Sequence, residues 1–330
     1  MKRSVVLFVI LISVVVGVFA TQTLTVYTYD SFISGMAKKV GPIFEKMYNC
    51  KVRFLSFGDS GNLLSRLILE KSHPQADVAI GLSQSQLPKA LSENIFQAYK
   101  PSDVASIVNR SLLVDPKYRL IPFDYGALAI DYDLKSVKDP PKSFEDLLSL
   151  RFSRSLVVED PRTSTTGLDF LLWTIAVYGD KWQNYWKALL PSIKTITSGW
   201  DSAFEMLEKG EASLMVSFAT DEAYNYYYYK GSNIGVVVPK EGAYVMVEYA
   251  GILKSTKHLK LAKEFMNFIL SKEFQSAIAL NQWMYPVTNV KLPEVYRYAP
   301  KISKVITLKP SLIAKNLSKW LEEWSVLVTK

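Results

Sequence analysis

The stretch Leu24-Thr25-Val26-Tyr27-Thr28-Tyr29-Asp30-Ser31-Phe32 opens the folded part of the chain and sets its pattern. Its β-branched and aromatic residues predict a strand over 23–29. A helix is expected over 34–48 and a strand over 51–57. Residues 62–71 predict a second helix, with Leu63, Leu64, Leu67 and Ile68 on one face. A short buried strand is expected at 76–80. Strand–helix–strand–helix order predicts an α/β fold, with a parallel or mixed sheet flanked by helices.

The alternation continues outward. Residues 123–132 read as an extended run. Pro140-Pro141-Lys142-Ser143 is expected to cap a helix through Asp146, by capping-box spacing. A strand is expected at 156–159 and a helix at 168–178. A further helix is expected at 202–209, with Ser202 and Glu205 at capping-box spacing. A buried strand is expected at 213–217 and an extended run at 244–253. Helices are expected at 259–270, 272–280 and near 312–328. There are no internal repeats and no low-complexity linker.

The first twenty residues read as a Sec-type signal peptide. Lys2 and Arg3 form a positive start, residues 4–19 are almost wholly apolar, and Val18-Phe19-Ala20 suits cleavage after Ala20. The rival reading is an uncleaved anchor, but the apolar run is short for a span needing about 20 residues. An exported, extracytoplasmic protein is expected. The mature chain, about 310 residues, suggests two domains. The single cysteine, Cys50, excludes an intrachain disulfide. Formal charge is +8, falling to +6 once Lys2 and Arg3 are removed. The positive residues are spread out, with no run longer than two, so no nucleic-acid footprint is expected.

Enzyme chemistry is poorly provided for. The two histidines, His73 and His258, lack partners at metal-ligand spacing. There is no Gly-x-Gly-x-x-Gly and no P-loop. Gly58-Asp59-Ser60-Gly61 imitates a serine-protease nucleophile, but such a triad needs a positioned histidine base. Asp59 reads either as a binding carboxylate or as a helix cap. Ser164, Thr165 and Thr166 precede a helix, where hydroxyls and free N–H groups make an anion site or an ordinary cap. Trp200 reads as a staple at a helix start or as a cleft residue.

A second string, Asn281-Gln282-Trp283-Met284-Tyr285-Pro286-Val287-Thr288-Asn289-Val290, lies near the C-terminus. With the opening stretch, Asp59 and Asp160-Pro161-Arg162-Thr163-Ser164-Thr165-Thr166-Gly167, it resembles the periplasmic thiamine-binding proteins of bacterial ABC importers. The resemblance runs in order from about Leu24 to Val290. It implies a two-lobe type II periplasmic-binding-protein fold, with 123–132 and 244–253 as hinge strands. Lobe 1 would hold 21–125 together with 251–330, and lobe 2 would hold 126–250.

The resemblance also implies a site. Asp59 would offset the charge of a thiazolium ring, which aromatic faces attract. Ser60, where the family has glycine, would keep a backbone contact. Ser164 and Thr165 would lie at the hydroxyethyl or phosphate end of the ligand; the family has proline at Thr166. Tyr27, Trp200, Tyr224 and Trp283 would be aromatic contacts, and Phe218 would stack where the family has tyrosine. Asp221 and Glu222 replace a Thr-Thr-Ser-Pro-like turn and add acids near the cleft. The Tyr226–Tyr229 run has no family match and reads as helix packing and surface.

The implied function is capture of thiamine, with its monophosphate and diphosphate as further candidates, for delivery to the permease subunits of an ABC importer. A monomer without cofactor, metal or enzymatic activity is expected. Two alternatives stand beside it: a type II binding protein for iron, a polyamine or an anion, and a thiaminase-like enzyme. The enzyme would need a cleft cysteine as nucleophile, and Cys50 is the sole candidate.

Overall fold

Parallel strands covered by helices on both faces must be apolar almost throughout. β1 (Thr23–Thr28) and β3 (Val78–Ser83) fit this, and β1 also pairs in parallel with the edge strand β2 (Lys51–Ser56), whose Lys51 and Arg53 are exposed. Beyond Thr23, every residue of β1 and of β3 is buried. The computed structural model describes residues 21–329. The signal-peptide reading of residues 1–20 lies outside the described residues.

The remaining strands are β4 (Ile121–Asp133), β5 (Leu156–Glu159), β6 (Ile193–Thr197), β7 (Leu214–Phe218), β8 (Ile234–Val237), β9 (Ala243–Ile252), β10 (Tyr285–Pro286) and β11 (Val305–Ile306). Among the described residues they make one mixed sheet, ordered β2-β1-β3-β9-β4-β7-β5-β6. β4 changes partners along its length. Residues 121–127 pair antiparallel with β9, and 128–132 pair antiparallel with β7. β9 in turn pairs with β3. Two long strands therefore connect a β2-β1-β3 half to a β7-β5-β6 half.

The helices are α1 (Asp30–Phe32), α2 (Lys38–Tyr48), α3 (Ser60–Leu69), α4 (Leu87–Ser92), α5 (Thr165–Tyr178), α6 (Trp182–Leu189), α7 (Trp200–Glu208), α8 (Asp221–Tyr229), α9 (Leu259–Phe268), α10 (Lys272–Asn281) and α11 (Pro310–Val328). The first half-sheet is covered on one face by α2, α9 and α10, through Val40, Phe44, Phe265 and Ile278. Its other face lies under α3 and α4, through Leu63, Leu67 and Leu87. The second half-sheet packs against α5 and α6 through Phe170, Trp173 and Trp186. α7 covers its other face with Ala203, Phe204 and Leu207.

Three local expectations need correction. The segment opened by Ser143 is not a full helix but two short 3-10 turns. One arm of the capping box forms, with the Asp146 N–H donating to the Ser143 hydroxyl at 3.1 Å. The Asp146 carboxylate accepts from the Lys142 N–H at 2.8 Å and not from Ser143. α7 starts at Trp200 after the extended Gly199, so Ser202 lies inside the helix and not at its cap. The segment 251–330 does not return to the first half as a unit. α9 and α10 do, but α11 buries Ile313, Trp320 and Trp324 in the second-half core. The physical reason is the apolar stripe of α11, whose Trp324 ring meets Trp186 edge-on at 5.7 Å.

Candidate functional site

A cavity of about 560 Å³ opens between the two half-sheets. This falls within the usual size of small-molecule sites. It sits where open α/β sheets place ligands, at strand ends and helix N-termini. Its wall includes Tyr29 beyond β1, Thr165 at the start of α5, Trp200 at the start of α7, Phe218 at the end of β7, Glu248 on β9 and Trp283 after α10.

One wall is aromatic. Trp200 stacks on Phe204 with centroids 4.5 Å apart and planes at 17°. Phe204 meets Tyr224 edge-on at 5.4 Å, and Tyr224 meets Trp283 edge-on at 5.3 Å. The indole N–H of Trp200 donates to the Ser217 hydroxyl at 2.9 Å, which fixes the ring plane. Trp283 takes φ of +56°, the left-handed conformation that helix ends usually give to glycine. A bulky residue held there is backbone strain of about 1 kcal/mol or more.

Asp59 is half-buried where α3 and α7 begin, close to the start of α5. It is the N-cap of α3, accepting from the Ser60 N–H at 2.5 Å. Its other oxygen accepts from the Trp200 N–H of α7 at 3.0 Å. The Ser164 hydroxyl and Thr165 N–H at the start of α5 also point to it. Burial pushes its carboxyl above the usual range, and these donors pull it back. Close contact between the halves depends on small residues here. A Cβ on Gly61 would stand 2.4 Å from the Thr163 carbonyl carbon, and one on Gly199 would stand 3.1 Å from the Asp59 Cβ. The cap reading of Asp59 is met, and the residue also stands on the cavity wall, where the binding-carboxylate reading needs it. Its carboxylate also lies beside the start of α5, so an anion bound there would meet like charge.

The structure brings Asp59, Thr165, Trp200, Phe218, Asp221, Tyr224 and Trp283 to the cavity wall. Asp221 is held by the Ser217 hydroxyl at 2.5 Å and the Phe218 N–H at 3.1 Å. Four expected site residues lie elsewhere. Tyr27 is buried under α3, its hydroxyl donating to Glu70 at 2.9 Å and its ring edge-on to Phe57. The chain turns at the end of β1, so Tyr29 takes the cavity position. The Ser60 side chain points into the core, bonded to the Gly81 carbonyl. Ser164 is fully buried as the N-cap of α5. Glu222 faces the Val236 N–H and Asn225, one helical step away from the cavity.

Sequence reasoning missed Tyr29, Glu248, Gln282 and Tyr228 on the cavity wall. Tyr29 and Gln282 stood inside the quoted strings, so the signal was present. Tyr228 belongs to the run read as packing and surface; it is exposed and its ring lies 5.8 Å from Trp283. Glu248 had no local signal, because its meaning comes from pairing. The Tyr29 hydroxyl donates to Glu248 at 2.8 Å, and Asp124 lies directly opposite it across β4 and β9. Burial, partly offset by these partners, holds the Glu248 carboxyl up at about 7. Cys50, the nucleophile of the enzyme alternative, lies in the first-half core with Val40 and Phe44.

Two helix-covered half-sheets joined by shared long strands, with a polar and aromatic cleft between them, define a two-lobe solute-binding protein of the type II periplasmic class. Residues 73–305 match the model of the bacterial extracellular solute-binding protein family. The chain is 36% identical over 318 residues to the thiamine-binding periplasmic protein of Escherichia coli K12, covering 95% of each chain. It is 35% identical over 317 residues to the protein of that name from Salmonella typhimurium LT2, covering 94% of this chain and 95% of the other. A solved periplasmic thiamin binding protein superposes with a TM-score of 0.89 at 35% identity, covering 94% of this chain and 97% of that one. The chain belongs to the bacterial extracellular solute-binding proteins.

Proposed function

We propose that this protein captures thiamine in the cleft between its lobes and delivers it to the permease of an ABC importer. The observation that carries the reading is the pairing of an aromatic wall, Trp200 to Trp283, with carboxylates at Asp59, Asp221 and Glu248. A thiazolium is flat, apolar at its edges and permanently positive. Aromatic faces and nearby carboxylates suit that combination, most of all where water is excluded. The names of the relatives supply the same ligand independently.

In this reading β4 and β9 are the hinge strands, and closure brings the lobes together around the ligand. The lobes divide near residues 125 and 250, with α11 strapped to the second. The protein acts outside the cytoplasm as an exported monomer, without nucleic acid, cofactor or covalent chemistry. Among the described residues, no helix is long and apolar enough to cross a membrane. The core position of Cys50 speaks against a thiaminase-like reaction.

Calorimetric titration of the mature chain with thiamine tests the proposal. The expected result is one site with a dissociation constant in the micromolar range or tighter, about −8 kcal/mol or more favourable. Absence of binding to thiamine, with saturable binding of putrescine or ferric citrate, would replace it with one of the alternative solutes. Base exchange on incubation with thiamine and a pyridine would make the protein an enzyme.

A further inference from the structure

We propose that Glu248, backed by Asp124, is the residue that reads positive charge on the ligand, and that the pair gives up one proton to bulk water when a cation enters the cleft. This rests on the thiamine reading and deepens it by assigning the charge-selecting group.

The geometry begins with strand register. Asp124 of β4 and Glu248 of β9 are direct partners across an antiparallel ladder. Like charges in that position repel, and both side chains are buried. Two carboxylates this close, out of water, cannot both ionise, so the pair keeps a proton. Neither Asp124 oxygen has a hydrogen-bond partner among the described residues, apart from what that shared proton supplies. Asp124 is enclosed; Glu248 forms part of the cavity wall.

Most other carboxylates on the wall are already supplied with donors; Asp201 at the start of α7 has none, but its side chain is exposed to water, whereas Glu248 is buried. Asp59 accepts from the N–H groups of Ser60 and Trp200. Asp221 accepts from Ser217 and Phe218, and Glu208 from the hydroxyls of Tyr224 and Tyr229. Glu248 has one phenol, Tyr29, whose oxygen is in turn met by the Gln282 amide. The other ionisable groups around the pair are Asp59, Asp169 and Tyr296. None of them is a cation. Lys38 and Lys39 line the same cavity from α2. Burial and mutual charge hold Asp124 well above the usual carboxylate range, and burial holds Glu248 at about 7. A fixed positive charge against Glu248 removes the reason for keeping the proton. The O–H bond of the shared acid breaks, the proton passes to water, and the carboxylate left behind neutralises the ligand.

The test compares thiamine with 3-deazathiamine, which keeps the aminopyrimidine but has a neutral ring in place of the thiazolium. Calorimetry at neutral pH, in two buffers of different ionisation enthalpy, counts protons. Thiamine is expected to release roughly half to one proton more than the neutral analogue, as a coupled pair near its first titration step would. Wild-type protein should bind thiamine at least about tenfold tighter than the analogue. Glu248→Gln should shrink that preference to about twofold, with the analogue's own affinity changed by less than about threefold. Glu248→Gln should also abolish the extra proton release, whereas Asp124→Asn should keep the preference, because Glu248 stays on the wall and the amide can still donate to it. Glu248→Asp, which draws the carboxylate back by one methylene, serves as the test if Glu248→Gln fails to fold, and it too should shrink the preference.

Equal losses for both ligands in a folded Glu248→Gln variant would overturn the proposal and leave Glu248 a structural residue. So would undiminished proton release in Glu248→Gln. Equal, tight binding of both ligands to wild type, with equal proton counts, would overturn this inference while leaving the thiamine reading in place. Failure of wild type to bind either ligand would overturn both.

Discussion

One wall of the cleft is a chain of aromatic rings, and the other is carboxylate. The rings of Trp200, Phe204, Tyr224 and Trp283 come from two helices and the turn after a third. Each touches the next, so the wall is shaped by packing and needs no partner from outside. The carboxylates of Asp59 and Glu248 stand on first-half elements and are shaped by donors. Asp59 has several; Glu248 has one phenol and a like-charged neighbour. The aromatic wall suits any flat apolar ligand, whereas the carboxylate wall discriminates by charge. Asp59 also joins the halves, which Glu248 does not.

The largest effect is expected at Asp59. Asp59→Ala leaves the Trp200 N–H without its partner and removes charge from the starts of α3 and α7. Loss of stability should be about 2–3 kcal/mol, the scale for losing a charge-assisted hydrogen bond that joins the two halves. Chemical denaturation measures it, and small-angle scattering should show a more open average shape. A variant as stable and compact as wild type would make Asp59 a plain wall carboxylate.

Trp283→Ala comes next. It should weaken thiamine by about 2 kcal/mol, the size of a desolvated cation–π contact, and remove a large part of any ligand-induced fluorescence change. A full fluorescence response in the variant would shift the contact to Trp200.

The carboxylate wall should also show in pH dependence. Glu248 is held at about 7 and Asp169, buried beside Ser85, at about 8, both above their unfolded values. The folded state therefore binds these protons more tightly than the unfolded chain. Their contribution is fully present below about pH 4 and is lost as pH rises through 7 to 8. The melting temperature without ligand should fall by a few degrees between pH 6 and 9, and Asp169→Asn should flatten that slope. A rising melting temperature over that range would mean that other groups dominate.

The smallest effect concerns phosphate. Of the hydroxyl residues at the α5 start, Thr165 and Thr166 line the cavity and Ser164 does not. Thiamine monophosphate should bind within about tenfold of thiamine, a gap of about 1.4 kcal/mol. Thr165→Ala should weaken the ester by at most about 1 kcal/mol more than thiamine. Equal losses for the two ligands in competition titrations would remove this loop from the phosphate end.

The fold class was legible because apolar periodicity is local. The strands at Thr23–Thr28 and Leu156–Glu159 and the helix ending at Tyr178 stand at or within a few residues of expectation. The aromatic wall was legible because its members sit inside recognisable strings. Tyr27 was the wrong tyrosine because strand parity says which residues share a face, not where the strand stops. One residue past the end of β1, the chain turns and Tyr29 enters the cleft. The start of α7 was misplaced because its orphan N–H is capped by Asp59 from the other half, outside any sequence window.

By itself the sequence determined the alternation of strands and helices, the apolar faces and the aromatic residues available to a site, since these depend on neighbours a few positions apart. Tertiary structure alone decided that Asp124 faces Glu248 and that Asp59 joins the starts of α3 and α7. It also placed α11 against the second core. Those pairings join residues 124, 141 and 138 positions apart. At such separations chain connectivity carries no information, and electrostatics and packing in the folded molecule select the partner.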